Sequence, residues 1–153
     1  MKFQTWKRIR IGTGLKTADD FRRALRADDC EISASANYML DNPAFAISER
    51  ETEVDLVAPS FAELGCGEFA SRREVYNKAK ELGLKLCPEE VGPQLRLQFK
   101  DQPKDERLII CIRPLSDNEG NPSLFALSCN RYGEKQLDSQ GEDNVVEDLV
   151  VPF

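Results

Sequence analysis

Histidine is absent from all 153 residues. That single absence removes Ser/His/Asp and Cys/His nucleophile pairs, HExxH zinc sites and imidazole general bases, leaving carboxylates, Lys, Tyr and Cys to move protons. Long apolar runs are also missing, and none approaches the roughly 20 residues a membrane-spanning helix needs. The N-terminal stretch MKFQTWKRIRIG has neither the apolar core nor the small-residue cleavage site of a secretory signal. Cys30, Cys66, Cys87, Cys111 and Cys129 are odd in number, widely spaced and nowhere CxxC, which fits neither a disulfide framework nor a zinc ribbon. Reduced, mostly buried thiols in a cytoplasmic protein are the expectation. Cys66, flanked by glycines in GCGE, is the thiol whose reactivity merits a test. Internal repeats, low-complexity tracts and cofactor-binding motifs are lacking too, so no cofactor and no membrane association are expected.

GTGLKT at residues 12–17 invites comparison with the phosphate loop GxxxxGK[ST], but Leu15 stands where the second glycine is needed and Arg10 where the first belongs. A strand-to-helix turn remains, with Lys16 beside helix N–H groups able to receive an anion. DNEGN at 117–121 lacks the alternating acids of a calcium loop, and Ser128 stands where its closing Glu belongs, so it reads as a hairpin turn.

What is present is charge, unevenly placed. The net charge is −6, yet residues 1–30 carry eight Lys and Arg against four Asp. Residues 114–153 hold Arg131 and Lys135 against eight acids. Such polarity orients a molecule on a partner, or lets its own two halves attract each other.

The periodicities give an α+β protein, read as one domain over 1–153 with an irregular acidic segment at 138–153. Ile9 and Ile11 alternate with Arg8 and Arg10 as in a strand. Thr17 caps a helix ending near Asp28, and a short helix spans Ser33 to Leu40. TEVDLVA at 52–58 alternates as a strand, and Ser60 with Glu63 has capping-box spacing. The strongest helix signal is SRREVYNKAKELG, with Ser71 and Glu74 as capping box, Val75, Ala79 and Leu82 at helical spacing, and Gly83 past the end. Leu84 and Leu86 suggest a short strand before Pro88. Leu95, Leu97 and Phe99 then alternate with Arg96, Gln98 and Lys100, and with LIICI this predicts a hairpin around DQPKDE. Strands at LFALS and KQLDS follow. The helices are thus placed mainly in the first 90 residues, with an antiparallel meander after them.

WK at 6–7, GTGLKT, Asp20-Phe21, ELG at 63–65, AKELGL at 79–84, LCP at 86–88, EVGPQLRLQ at 90–98 and DQP at 101–103 resemble an uncharacterised family of small bacterial proteins. The resemblance covers about the first 115 residues and stops before Ser128. It implies a bacterial or mobile-element origin, and it carries no catalytic residue with it.

Two functional readings follow. With no catalytic constellation in view, the chain is more readily a protein-binding or regulatory module than an enzyme, its acidic surface suited to a basic partner and its late strands offering an edge to another chain. The alternative is a nucleic-acid-binding accessory protein. Lys7, Arg8, Arg10, Lys16, Arg22, Arg23 and Arg26 interleave with Trp6 and Phe21, able to contact phosphate and stack a base. The order of elements over 60–113, a short helix at Phe61–Leu64, a strong helix, then a hairpin, is that of a winged helix. Lys16, Arg22, Arg26, Arg72 and Arg73 are the candidate anion- or partner-binding residues, and no residue is a candidate catalyst or metal ligand.

Overall fold

The structure, a computed structural model, describes residues 3–60, 62–67, 71–141 and 149–152. It is a mixed α and β fold in which β1 (Lys7–Ile11), α1 (Ala18–Ala27), β2 (Glu31–Ile32), α2 (Ala34–Leu40) and β3 (Thr52–Val57) precede α3 (Arg72–Glu81) and α4 (Val91–Gln98). Then come β4 (Arg107–Ser116), β5 (Pro122–Cys129), β6 (Lys135–Gly141) and β7 (Leu149–Pro152).

Two sheets share β7, giving the continuous order β1-β3-β7-β4-β5-β6-β2. β4, β5 and β6 are antiparallel neighbours. β7 departs from that pattern by lying parallel to β4 and antiparallel to β3, and β2 is parallel to β6. The expected meander therefore covers only the middle of the sheet. Of the segment 138–153, residues 138–141 belong to β6 and 149–152 to β7, the remainder lying outside the described residues.

The helix starts follow local chemistry. Thr17 accepts from Asp20 N while Asp20 reaches back to Thr17 N, a complete capping box. Ser33 and Ser71 accept from Ala36 N and Glu74 N at the heads of α2 and α3. Ser60 and Glu63 also exchange both capping bonds, but residues 62–65 form only a turn, and Phe61 lies outside the described residues.

The largest departure from expectation is α4. Residues 90–98 form a helix where alternation predicts the first strand of a hairpin, so a helix lies beyond residue 90 and the winged-helix order is interrupted there. Pro93 falls in the first turn, where a missing N–H costs nothing. Val91 to Arg96 are all buried, because this helix runs between α1, β1 and the β5–β6 face of the sheet. Gly92 permits that depth, since a Cβ there would lie 2.5 Å from the Phe125 ring. The Leu84–Leu86 stretch forms no strand, and only Cys87 makes a bridge, parallel to Ile112 of β4.

The core joins Phe21 and Leu25 of α1, Met39 and Leu40 of α2, Val91 and Leu95 of α4, and the two-sided interior of β4 and β5. Phe21, Phe45 and Phe125 stack edge to face through it, with centroids 5.8 and 6.0 Å apart. No helix among the described residues is long and apolar enough to cross a membrane.

Candidate functional site

The basic N-terminal segment is largely neutralised from within. In the β1–β3 ladder Arg8 stands opposite Asp55 and Arg10 opposite Glu53. Arg8 Nε donates to Asp55 Oδ1 at 2.5 Å, and the hydrogen bond holds the Asp55 carboxyl below its usual range. Arg10 lies 3.6 Å from both Glu51 and Glu53. Lys7 Nζ sits 4.2 Å from the centre of the Phe99 ring, against which Trp6 packs edge-on. Phe21 is fully buried and so cannot stack a base, while Trp6 is half-buried.

The candidate cations are dispersed. Arg22 is a clamp between α1 and α2, donating to Asp19 Oδ1 at 2.7 Å and to Asn37 Oδ1 and O at 2.6 and 2.9 Å, and pairing with Asp41 at 2.8 Å. Its side chain is only 12% exposed. Arg23 pairs with Asp20. Lys16 and Arg26 are exposed and unpaired among the described residues. They flank α1 at its two ends, about 15 Å apart along the axis. Arg73 is exposed on α3, and the side chain of Arg72 lies outside the described residues.

The N–H groups beside Lys16 already have an anion. Asp20 Oδ2 accepts from Lys16 N at 2.9 Å and Thr17 N at 3.2 Å. These bonds, that from Lys16 foremost, lower the Asp20 pKa.

Behind this loop stands a network that spacing could have revealed. Glu90, Gln94 and Gln98 recur every four residues and form one ridge on α4. Glu90 is fully buried, and its carboxylate accepts from Gly12 N at 2.8 Å, Ser48 N at 2.7 Å and Gln94 Nε2 at 2.9 Å. Gln94 also donates to Thr13 Oγ1. Gln98 accepts from Arg10 N and donates to Arg10 O, copying a neighbouring strand at the β1 edge. Gly12 is required there, with φ +68° and a would-be Cβ 2.0 Å from Arg50 O. The GTG loop and EVGPQLRLQ thus explain each other as structure. One helical step away, buried Arg96 donates to Gln102 Oε1 at 2.6 Å and to the carbonyls of Ser128 and Phe99. Gln102 in turn donates to Leu127 O, which fixes DQP against β5.

Outward-facing chemistry lies elsewhere. The β5–β6 hairpin turns at Asn130–Glu134, where Asn130 Oδ1 accepts from Tyr132 N and Glu134 N, both at 2.9 Å. Gly133 takes φ +80° to complete the turn. This rigid tip holds Tyr132 out at 69% exposure, with Arg131 stacked 5.1 Å from its ring centre. Beside the tip a cleft of about 260 Å³ is lined by the acids Glu31, Asp105, Glu106 and Glu134, with Arg107 and Lys135 as its cations. Glu106 Oε1, like Arg96 Nε, is buried without a hydrogen-bond partner, and the charge of Glu106 acts on the Arg96 guanidinium. The cleft's Arg107 is already engaged, donating to Asp138, Ser139 O and Gln140.

The remaining sequence candidates are structural in their contacts. Asp117 accepts from Glu119 N and Asn121 N and closes the β4–β5 turn. All five cysteines are free thiols, with Cys66 half-buried and the others buried. Among the described residues no cluster of three His, Cys, Asp or Glu side chains is placed to hold a metal. No protein family, curated protein or solved structure matches the chain.

Proposed function

We propose that this chain is a protein-binding module that docks a basic partner on the β5–β6 tip. The observation that carries the reading is the cleft itself, where Glu31, Asp105, Glu106 and Glu134 gather beside a projecting tyrosine. Four carboxylates on one cleft offer an incoming Lys or Arg charge-assisted hydrogen bonds. Tyr132 supplies what interface hot spots favour, a large amphipathic side chain, and its backbone is fixed in the turn by Asn130.

The sheet edges are poorer docking places. Gln98 occupies the β1 edge at Arg10, and β2 is two residues long. The nucleic-acid reading draws support from Lys16 and Arg26 alone within the N-terminal segment, set apart on either side of Arg22, which is already paired.

A photo-crosslinking residue at position 132, in extracts of the source cells, tests the proposal. A discrete protein adduct is expected, and Glu106→Gln with Glu134→Lys should abolish it. Labelling indistinguishable from that of a crosslinker at exposed Glu119 overturns it. The nucleic-acid alternative predicts binding that is tightest at low salt and weakened by Lys16→Glu with Arg26→Glu.

A further inference from the structure

A second cleft, of about 470 Å³, opens between α3 and the segment that follows it. Gly83, at φ +87°, reverses the chain after α3, and Cys87 N donates to Cys111 O at 2.7 Å, so the chain meets β4 at Cys87. One wall is Tyr76, Asn77, Ala79 and Lys80 of α3, the other is Leu84, Lys85 and Leu86, and Cys111 forms the floor. The volume lies within the about 300–1,000 Å³ typical of small-molecule sites. Leu86 is 44% exposed, one of few large apolar side chains left in water.

Charge distinguishes this cleft from a packing defect. Lys78 pairs with Glu81 on α3, whereas Lys80 and Lys85, one on each wall, are exposed and have no ion pair among the described residues. In a chain of net charge −6, two unpaired ammonium groups facing one apolar cleft are a local exception. An apolar trough with cationic lips matches a molecule with an apolar chain and an anionic head.

We infer that the α3 cleft binds a medium-chain fatty acid, its chain over Ala79, Leu84 and Cys111 and its carboxylate between Lys80 and Lys85. The site is separate from the Tyr132 tip and does not depend on it.

Calorimetric titration of the full chain with decanoate, kept below its micelle concentration, is the test. Saturable one-to-one binding is expected, with no binding of decyltrimethylammonium, which has the same chain and the opposite head. Lys80→Glu with Lys85→Glu should weaken decanoate binding by about tenfold or more, as loss of charge-assisted contacts requires. Ala79→Trp should block the trough. Because Ala79 is nearly buried, Leu86→Glu provides a second obstruction at an exposed position, with folding checked by circular dichroism. No saturable binding, equal binding of the cationic amphiphile, or affinity unchanged in both obstructing variants overturns the inference. So does co-sedimentation with phosphatidylglycerol vesicles without binding of free decanoate, which would assign the face to a membrane surface.

Discussion

Two glutamates divide this molecule. Glu90, at the corner of α4 and β1, has no exposed surface and accepts from three N–H groups on three segments. Glu106, under the β5–β6 tip, has an oxygen equally withdrawn from water that accepts from none. The same side chain therefore serves as an internal joint in one place and leaves an acceptor unsatisfied in the other. The chemically dense motifs, GTGLKT and EVGPQLRLQ, belong to the first kind. The second kind lies in an unremarkable turn, where no motif marks it.

Breaking the first glutamate should have the largest effect. Glu90→Ala strands two backbone donors from different loops, and a loss of about 3–5 kcal/mol in urea unfolding is expected. A loss under about 1 kcal/mol would show that water replaces the carboxylate there. Gly92→Ala tests the same corner by volume, driving a methyl into Phe125, and should cost about 1–3 kcal/mol.

Acid probes the satisfied carboxylates as a class. The backbone bonds of Lys16 to Asp20, the Arg8 bond to Asp55 and the N–H groups of Asn121 and Glu119 on Asp117 lower all three pKa values in the folded chain. The unfolded chain takes up these protons at higher pH, near about 3.9. Their contribution is thus complete above that value and is lost as pH falls through the lowered folded values. The urea midpoint should decline below about pH 4, and Asp20→Asn should make the decline shallower. With no histidine, nothing comparable is expected between about pH 5 and 8.

The smallest effect on stability belongs to the second glutamate. Glu106→Gln and Tyr132→Ala should each change unfolding free energy by about 0.5 kcal/mol or less while removing the crosslinked partner. A large destabilisation in either would make the tip another internal joint and erase the contrast.

Caps made most helices legible. Thr17, Ser33 and Ser71 announce α1, α2 and α3 because each cap is a contact within three residues. α4 was hidden because Leu95, Leu97 and Phe99 mimic a strand's alternation and Pro93 mimics a stop. The four-residue spacing of Glu90, Gln94 and Gln98 was the opposing signal, polar rather than apolar and so outside the usual search for an apolar stripe. Pairing between remote segments left no local trace. The neutralisation of Arg8 and Arg10 depends on the register of β1 against β3, forty-odd residues on. The free oxygen of Glu106 depends on what fails to reach it.

β7 has a consequence in time. Among the described residues it is the latest of the strands in sequence, yet it lies between β3 and β4 and is the only strand shared by the two sheets. As the chain leaves the ribosome, β1 with β3 and the β4–β5–β6 group can each form while the lane between them stands empty. Two unsatisfied strand edges then face each other until residues 149–152 arrive. For that interval the nascent protein is most open to pairing with a neighbour's strand, and the closing of that lane ends its vulnerability.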